Sequence, residues 1–198
     1  MKWDKFNTIH TKLILWALLP VILFLLLNFF YIKPLMKQSI YNDKKTQVKN
    51  MIASGMGVLN YYHDKEQSGE LTREEAQKQA VKIIKSMNFG EEGRNYYWII
   101  NYKPEMIFHP YRPGLANKDL SKITIGNGVH LFKEFVRIAR EEESGFMDYE
   151  WQYYANEDRI EPKLSYIKNF NPWDWVIITE VYINDIEAVV SRQQQVLN

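Results

Sequence analysis

The stretch Asp148-Tyr149-Glu150-Trp151 decides the fold, together with two segments that follow it. These are Glu161-Pro162-Lys163-Leu164-Ser165-Tyr166, and Pro172-Trp173-Asp174-Trp175 running into Glu180-Val181-Tyr182. Segments rich in aromatic residues with a polar end favour β-strands, so we predict three strands here. Such residues combine a large rigid surface with a hydrogen-bonding end. The three strands therefore suit a packed sheet or a small polar pocket built on one.

Side chains alternate between the two faces of a β-strand, so each predicted strand can be divided into its faces. Tyr149 and Trp151 share one face, whereas Lys163 and Tyr166 lie on opposite faces of the following strand. A regular strand therefore cannot direct both Lys163 and Tyr166 into one pocket. We keep Lys163 as a candidate pocket residue and leave Tyr166 out.

Residues 13–32 form an almost unbroken apolar run flanked by Lys12 and Lys33. As a helix, a run of this length crosses the hydrocarbon core of a bilayer. A cleaved signal peptide is the competing interpretation, but the run is longer than the apolar region of a typical signal, and no small-residue cleavage site follows it. We predict an uncleaved transmembrane helix at 13–32. Basic residues on both sides leave its orientation open.

Residues 33–66 are predicted to continue the membrane helix as an amphipathic stalk. Apolar residues recur there at three- and four-residue intervals, as one face of a helix requires. The residues that carry this pattern are Val48, Ile52, Met56 and Leu59. We also expect the protein to form a homodimer through this helix.

The remaining segments mix helices and strands. Thr72-Arg73-Glu74-Glu75 is a capping box that predicts a second helix, and residues 95–101 and 106–109 predict a β-hairpin. Residues 128–142 predict a further helix, and residues 154–160 a polar loop between two of the aromatic strands.

The composition excludes several classes of function. The chain has 25 basic and 24 acidic residues among 198, so it lacks the positive field that nucleic-acid binding requires. It has no cysteine, which excludes disulfides, thiolate catalysis and cysteine-ligated zinc. Its four histidines are scattered and no nucleophile motif is present, so we do not expect an enzyme. We also expect no cofactor and no metal ion.

A set of short motifs runs through the chain in a defined order. They are Asn95-Tyr96-Tyr97-Trp98-Ile99, Met106-Ile107-Phe108-His109-Pro110, Arg112-Pro113-Gly114-Leu115, Lys118-Asp119-Leu120, Gly145-Phe146-Met147-Asp148-Tyr149-Glu150-Trp151, Pro162-Lys163-Leu164-Ser165-Tyr166, Pro172-Trp173-Asp174-Trp175 and Val181-Tyr182-Ile183-Asn184-Asp185-Ile186. Together they resemble the single Cache sensor domains of bacterial chemoreceptors and sensor kinases. The resemblance covers nearly the whole chain, from the membrane helix to Ile186.

The resemblance implies an α+β fold, a PAS-like Cache domain at residues 67–182. In this fold a long N-terminal helix, continuous with the transmembrane helix, packs on a five-stranded antiparallel sheet. The domain is then expected outside the cytoplasmic (inner) membrane, in the periplasm or the extracellular space, with residues 1–12 in the cytoplasm. Residues 183–198 are expected to form a helix that leads toward a second membrane span missing from the chain.

The resemblance further implies a ligand, because known ligands of such domains are short carboxylates such as acetate, propionate, lactate and pyruvate. A carboxylate requires a cation or several hydrogen-bond donors in a partly dry pocket. Arg112 and Lys163 are the candidate cations, and His109 is a candidate donor. The candidate wall residues are Tyr149, Trp151 and Tyr97. The competing interpretation makes Arg112 a solvated loop arginine and Lys163 a lysine at the pocket rim that lies along an aromatic ring. It makes the other candidates ordinary structural residues of the sheet.

The chain departs from the family pattern at Glu180, where members commonly have glycine, so we expect an altered end of the last strand. The leading hypothesis is a membrane-anchored sensor domain that binds a small organic acid and signals through its membrane helices. The alternative is a membrane-tethered protein-interaction or dimerisation module with no small-molecule ligand.

Overall fold

The computed structural model describes residues 9–90, 93, 95–126, 128–154 and 156–183. The first eight residues and most of the predicted C-terminal helix 183–198 lie outside these ranges. The α-helices are α1 (Ile9–Leu27), α2 (Lys33–Gln67), α3 (Arg73–Ser86) and α4 (Leu131–Glu141). The β-strands are β1 (Tyr97–Asn101), β2 (Met106–Phe108), β3 (Thr124–Ile125), β4 (Val129–His130), β5 (Ser144–Tyr153), β6 (Asn156–Phe170) and β7 (Trp175–Tyr182).

A single helical rod carries the N-terminal part of the chain. A π-helical turn at Asn28–Ile32 joins α1 to α2, so the helix continues without a break to Gln67. The large apolar side chains of α1 are exposed, and the helix is long and apolar enough to cross a membrane. An apolar helix with no protein packed around it requires a nonpolar environment, which a bilayer supplies.

The apolar stripe that predicts the stalk is the face that α2 packs against the sheet. Val48, Ile52, Gly55 and Leu59 are buried there, and Met56 packs against the same cluster. This burial stabilises a long helix whose sequence is otherwise polar. Because the stripe is used within the chain, a contact between two copies would use other residues of α2.

A five-stranded antiparallel sheet forms the centre of the domain, in the order β2-β1-β7-β6-β5. The middle strand β7 is buried along its whole length. The helices α2 and α3 cover one face of the sheet and α4 covers the other. Strands β3 and β4 form a separate small hairpin. The predicted α+β fold, with a long N-terminal helix on a five-stranded antiparallel sheet, is confirmed.

Alternation along the strands divides the core into two clusters. Tyr97 and Ile177 belong to the cluster under α2 and α3. Trp98 and Ile178 belong to the cluster under α4, where Phe135 packs against them. Both faces of β1 are apolar because both faces of the sheet are covered.

The hairpin between β5 and β6 is tighter than the polar loop predicted at residues 154–160. Gln152 pairs with Ile160, so the strands continue almost to the turn. Tyr154 reverses the chain with a φ of 49°, in the left-handed region. The polar residues before Ile160 belong to an exposed strand end. They are polar because they contact water, not because they form a loop.

Gly55 allows α2 to lie close to the sheet. A Cβ atom at this position would lie 2.7 Å from Ile177 Cδ1 and 3.2 Å from Tyr97 Cε1. Beside this contact, the Tyr97 hydroxyl donates a hydrogen bond of 2.9 Å to the carbonyl oxygen of Met51. The long helix is therefore in direct contact with the adjacent strands β1 and β7.

We expect Gly55→Leu to destabilise the domain, because a branched side chain has no room between α2 and the sheet. Overpacking of this kind costs about 1–3 kcal/mol, which lowers Tm in thermal unfolding followed by tryptophan fluorescence. Gly57→Leu is the matched control, since Gly57 is exposed and its Cβ position meets no atom within 4 Å. That substitution should raise Tm slightly through helix propensity. Equal effects would contradict a close contact at Gly55.

Candidate ligand-binding site

A small cavity lies between α4 and the face of the sheet that α4 covers. Its wall is mainly aromatic and aliphatic, and Trp151 is part of it. The cavity also meets the side chains of His109, Arg112, Tyr149 and Glu180. Its volume is about 10 Å³, which is room for roughly one water molecule. Side chains therefore fill most of the space under α4.

Glu180 and Lys163 form a buried ion pair beside this cavity. Their side chains are 2% and 1% exposed. Lys163 Nζ donates to Glu180 Oε1 and also to the Tyr96 hydroxyl oxygen at 3.1 Å. The Tyr96 hydroxyl in turn donates to Glu180 Oε1 at 2.5 Å. Each charge is tolerated in the interior because the other neutralises it.

The second carboxylate oxygen of Glu180 is also well supplied with donors. The Tyr149 hydroxyl donates to Oε2 at 2.6 Å, and Trp98 Nε1 donates to it at 3.2 Å. Ser165 Oγ lies 3.2 Å from both Oε2 and the Tyr149 oxygen, so its single proton serves one of them at a time. Both oxygens thus accept several hydrogen bonds, an arrangement that stabilises a carboxylate away from water.

Strand pairing brings these side chains together. Ser165 on β6 lies opposite Glu180 on β7, and Tyr149 on β5 lies opposite Lys163 on β6. Lys163 and Ser165 are two residues apart and therefore share a face. The prediction that Lys163 and Tyr166 lie on opposite faces of their strand is correct. Lys163 faces the α4 side, whereas Tyr166 belongs to the cluster under α2.

The surroundings of Glu180 keep it ionised. Burial alone would raise the pKa of its carboxyl group, but the charge of Lys163 and the hydrogen bonds from Lys163, Tyr149 and Tyr96 outweigh burial and lower the pKa to about 2. Burial, followed by the charge of Glu180, raises the pKa of the Tyr96 and Tyr149 hydroxyls well above the ordinary value. At neutral pH the tyrosines are donors and Glu180 is purely an acceptor.

His109 contributes a neutral imidazole to the cavity. Burial lowers its pKa to about 4; the charge of Glu180 opposes this shift, and the charges of Lys163 and Arg112 add to it. Its Nδ1 accepts a hydrogen bond of 3.2 Å from the backbone N–H of Tyr111. The proton of the neutral ring is therefore on Nε2, so His109 can act as a donor near pH 7.

The cavity brings together four of the residues predicted for the site, which are His109, Arg112, Tyr149 and Trp151. Lys163 lies on the same face of the sheet, but its charge is neutralised by the ion pair with Glu180. Lys163 is therefore neither a lysine at the pocket rim nor a cation open to the cavity.

The assignment of Tyr97 to the pocket wall is wrong. Tyr97 lies on the opposite face of β1, in the cluster under α2, where it donates to Met51. Its neighbours Tyr96 and Trp98 face the α4 side instead, and both donate to Glu180. Both faces of this segment are apolar, so the sequence pattern does not show which face carries the pocket.

Sequence reasoning also misses Glu180 as a site residue. The available signal is an acidic side chain within a strand that is otherwise apolar, because a buried carboxylate requires a cation or several donors. Its pairing with Lys163 is not readable from the chain, since it depends on the register between β6 and β7. The predicted alteration near the end of β7 is thus a polar cluster, and the strand remains regular through Tyr182.

We expect the ion pair to make the stability of the domain sensitive to acid. The folded pKa of Glu180 is about 2, below the ordinary value of 4.5. Its contribution is therefore complete above pH 4.5 and is lost as the pH falls from there toward 2, by about 2–3 kcal/mol. Glu180→Gln combined with Lys163→Met removes both charges of the pair and with them this titration. Urea unfolding between pH 7 and 3 should show a shallower loss of stability for this double variant, and parallel profiles would contradict the pairing.

The fold and the buried pocket define a class of protein. A five-stranded antiparallel sheet with a long N-terminal helix on one face and a pocket on the other is the architecture of a PAS-like domain. The chain belongs to the single Cache family, because the model of the family Single Cache domain 2 matches residues 40–195. The resemblance drawn from the motifs is thereby confirmed.

Known relatives are bacterial receptors. The chain is 35% identical to the methyl-accepting chemotaxis protein McpP of Pseudomonas putida over 154 residues. The matched segment is 78% of this chain and 28% of that protein. It is 25% identical to the sensor histidine kinase MctS of Rhizobium johnstonii over 152 residues. The matched segment is 77% of this chain and 32% of that protein. The chain therefore spans less than a third of the length of either relative.

Solved structures agree with this membership. A periplasmic sensor domain of a chemotaxis protein matches with a TM-score of 0.68 and 30% identity, over 72% of this chain and 96% of that one. A second structure describes the basis for carboxylic acid recognition by a Cache chemosensory domain. It matches with a TM-score of 0.68 and 32% identity, over 73% of this chain and 97% of that one. The chain is thus an extracytoplasmic Cache sensor domain of the kind found in chemoreceptors and sensor kinases.

Proposed function

We propose that this chain is the sensory part of a bacterial transmembrane receptor and that the cavity under α4 binds a small organic carboxylate. Residues 13–32 span the cytoplasmic (inner) membrane, and residues 67–182 form the sensor domain in the periplasm or outside the cell. Residues 1–12 lie in the cytoplasm. The stalk at 33–66 leads from the membrane to the sensor domain. In this role the domain senses its ligand and catalyses no reaction.

The observation that carries the proposal is that one cavity combines a cation, a neutral donor and aromatic walls. Arg112 has a planar guanidinium, which can bond both oxygens of a carboxylate. His109 adds a neutral donor, and Tyr149 and Trp151 offer aromatic surface to the rest of the ligand. A mainly apolar pocket with a few polar groups is typical of small-molecule sites. A Cache domain of the same fold recognises carboxylic acids, which supports this choice of ligand.

The ligand must be small because the cavity is nearly full. Its volume of about 10 Å³ is below what any organic acid requires, so the ligand enters only when α4 or the loop carrying Arg112 moves outward. Acetate, propionate, lactate and pyruvate demand the smallest movement. Binding then favours the open arrangement by the difference in ligand affinity between the two arrangements.

Strand β7 offers a route from the cavity to the stalk. Glu180 lines the cavity on one face of β7, and Ile177 on the other face lies against Gly55 of α2. Tyr41 of α2 also donates a hydrogen bond of 2.7 Å to Asp148 of β5. A shift of the sheet would therefore reach α2, which is continuous with the membrane helix. A homodimer through the stalk would bring two such helices to the membrane.

We expect short carboxylates to raise the Tm of the full chain in lipid nanodiscs, because a ligand that binds the folded state stabilises it. At about 100 times Kd the gain is about 2.7 kcal/mol. Arg112→Ala should remove the shift and leave the protein folded. Lys118→Ala, which changes an exposed cation of the same loop, should retain it. A shift that persists in Arg112→Ala would show that the site assignment is wrong.

A second function is favoured by the near-complete filling of the cavity. A membrane-tethered interaction or dimerisation module requires no ligand, and its core would remain closed. The same measurement separates the two functions. If acetate, propionate, lactate and pyruvate all leave Tm unchanged, the interaction module is the better account of this chain.

A further inference from the structure

We infer that the Glu180 side chain occupies a carboxylate-binding subsite of this pocket, in the place that the carboxylate of a free organic acid would otherwise take. The inference rests on the proposed function for the chemical class of the ligand. It concerns different residues, however, because it depends on the donors around Glu180 rather than on Arg112 and His109.

Five donors converge on the Glu180 carboxylate. They are Lys163, Tyr96, Tyr149, Trp98 and Ser165, here called the donor cluster. All five are buried, and they supply an ammonium, two phenols, an indole and an aliphatic hydroxyl. Such a set neutralises one negative charge and bonds both oxygens. A free carboxylate has the same requirements when it leaves water.

The donor cluster borders the ligand cavity. Glu180 and Tyr149 both line that cavity. The ring centroid of His109 lies 5.3 Å from that of Tyr96 and 5.8 Å from that of Trp98. A carboxylate in the position of the Glu180 carboxylate therefore adjoins the space that His109 faces.

Glu180 holds this position more firmly than a free acid could. Its attachment to β7 gives it an effective concentration at or above the millimolar range, and its displacement would leave a buried carboxylate without a partner. In the unsubstituted chain a free acid therefore binds at Arg112 and His109 and does not reach Lys163. A second carboxylate on that acid would meet the charge of Glu180, so monocarboxylates should be preferred over dicarboxylates.

Removal of the Glu180 side chain should turn the donor cluster into a site for a free acid. Glu180→Ala deletes a CH₂–COO⁻ fragment, which acetate matches with one additional hydrogen. Glu180→Gly deletes CH₂–CH₂–COO⁻, which propionate matches in the same way. In both variants the Lys163 ammonium is buried without its partner until an acid binds, so both should be less stable than the unsubstituted chain.

The test is chemical rescue of the full chain in lipid nanodiscs. Tm is measured with increasing sodium acetate or sodium propionate, against sodium chloride at the same ionic strength. We expect each variant to regain Tm with saturation, by roughly 4 °C or more. Acetate should be the better partner for Glu180→Ala, and propionate for Glu180→Gly.

Three control variants assign the rescue to the donor cluster. Each control also carries Arg112→Ala, so that binding at Arg112 contributes no shift in Tm. Glu180→Gln in this background fills the position with an uncharged group and should show no rescue. Glu180→Ala with Lys163→Met in this background lacks the ammonium and should show none. Glu180→Ala with Arg112→Ala keeps the donor cluster and should still be rescued. This last variant separates the inference from the proposed function, which fails if the unsubstituted chain shows no Arg112-dependent shift.

Rescue that sodium chloride reproduces, or that survives Lys163→Met in the Arg112→Ala background, would overturn the inference. A lack of any rescue in folded Glu180→Ala and Glu180→Gly would also overturn it. If a variant does not fold in chloride, far-ultraviolet circular dichroism in acetate or propionate decides the question. Folding that requires the acid supports the inference, and failure to fold in either salt contradicts it.

Discussion

The buried ion pair between Lys163 and Glu180 is the interaction on which the polar side of the cavity depends. Neither side chain is more than 2% exposed, and a buried charge is tolerated only when a partner neutralises it. The register of β6 against β7 brings the two charges together, because a slip of one residue would turn Lys163 to the opposite face of the sheet. The same pair orients Tyr96 and Tyr149 and thereby shapes the polar side of the cavity.

Strand β7 connects the polar cavity with the packing of the long helix. Its alternate residues face the two covered sides of the sheet, so one strand carries Glu180 toward α4 and Ile177 toward α2. Gly55 removes the side chain that would otherwise separate α2 from this strand. Such an arrangement suits a domain that responds to a small molecule, because only strand β7 separates the cavity from the helix that enters the membrane.

Much of the fold follows from local sequence patterns. The apolar run at 13–32, the stripe along α2 and the capping box of α3 each depend on residues that are close in sequence, and the structure contains the corresponding helices. The aromatic segments similarly become β5, β6 and β7. The prediction of a loop at residues 154–160 is wrong for the residues from Asn156 onward, because an exposed strand end and a loop have the same composition.

For the site, the sequence by itself determined the residue types and their parity: it set Lys163 apart from Tyr166 and placed Tyr149 and Trp151 on one face. Only the tertiary structure decided which face of β1 meets the cavity, which excludes Tyr97 and brings in Tyr96 and Trp98. It also decided that the charge of Lys163 is used by Glu180. The physical reason is that these contacts join different strands, and strand register and helix coverage result from the packing of the whole domain rather than from any single segment.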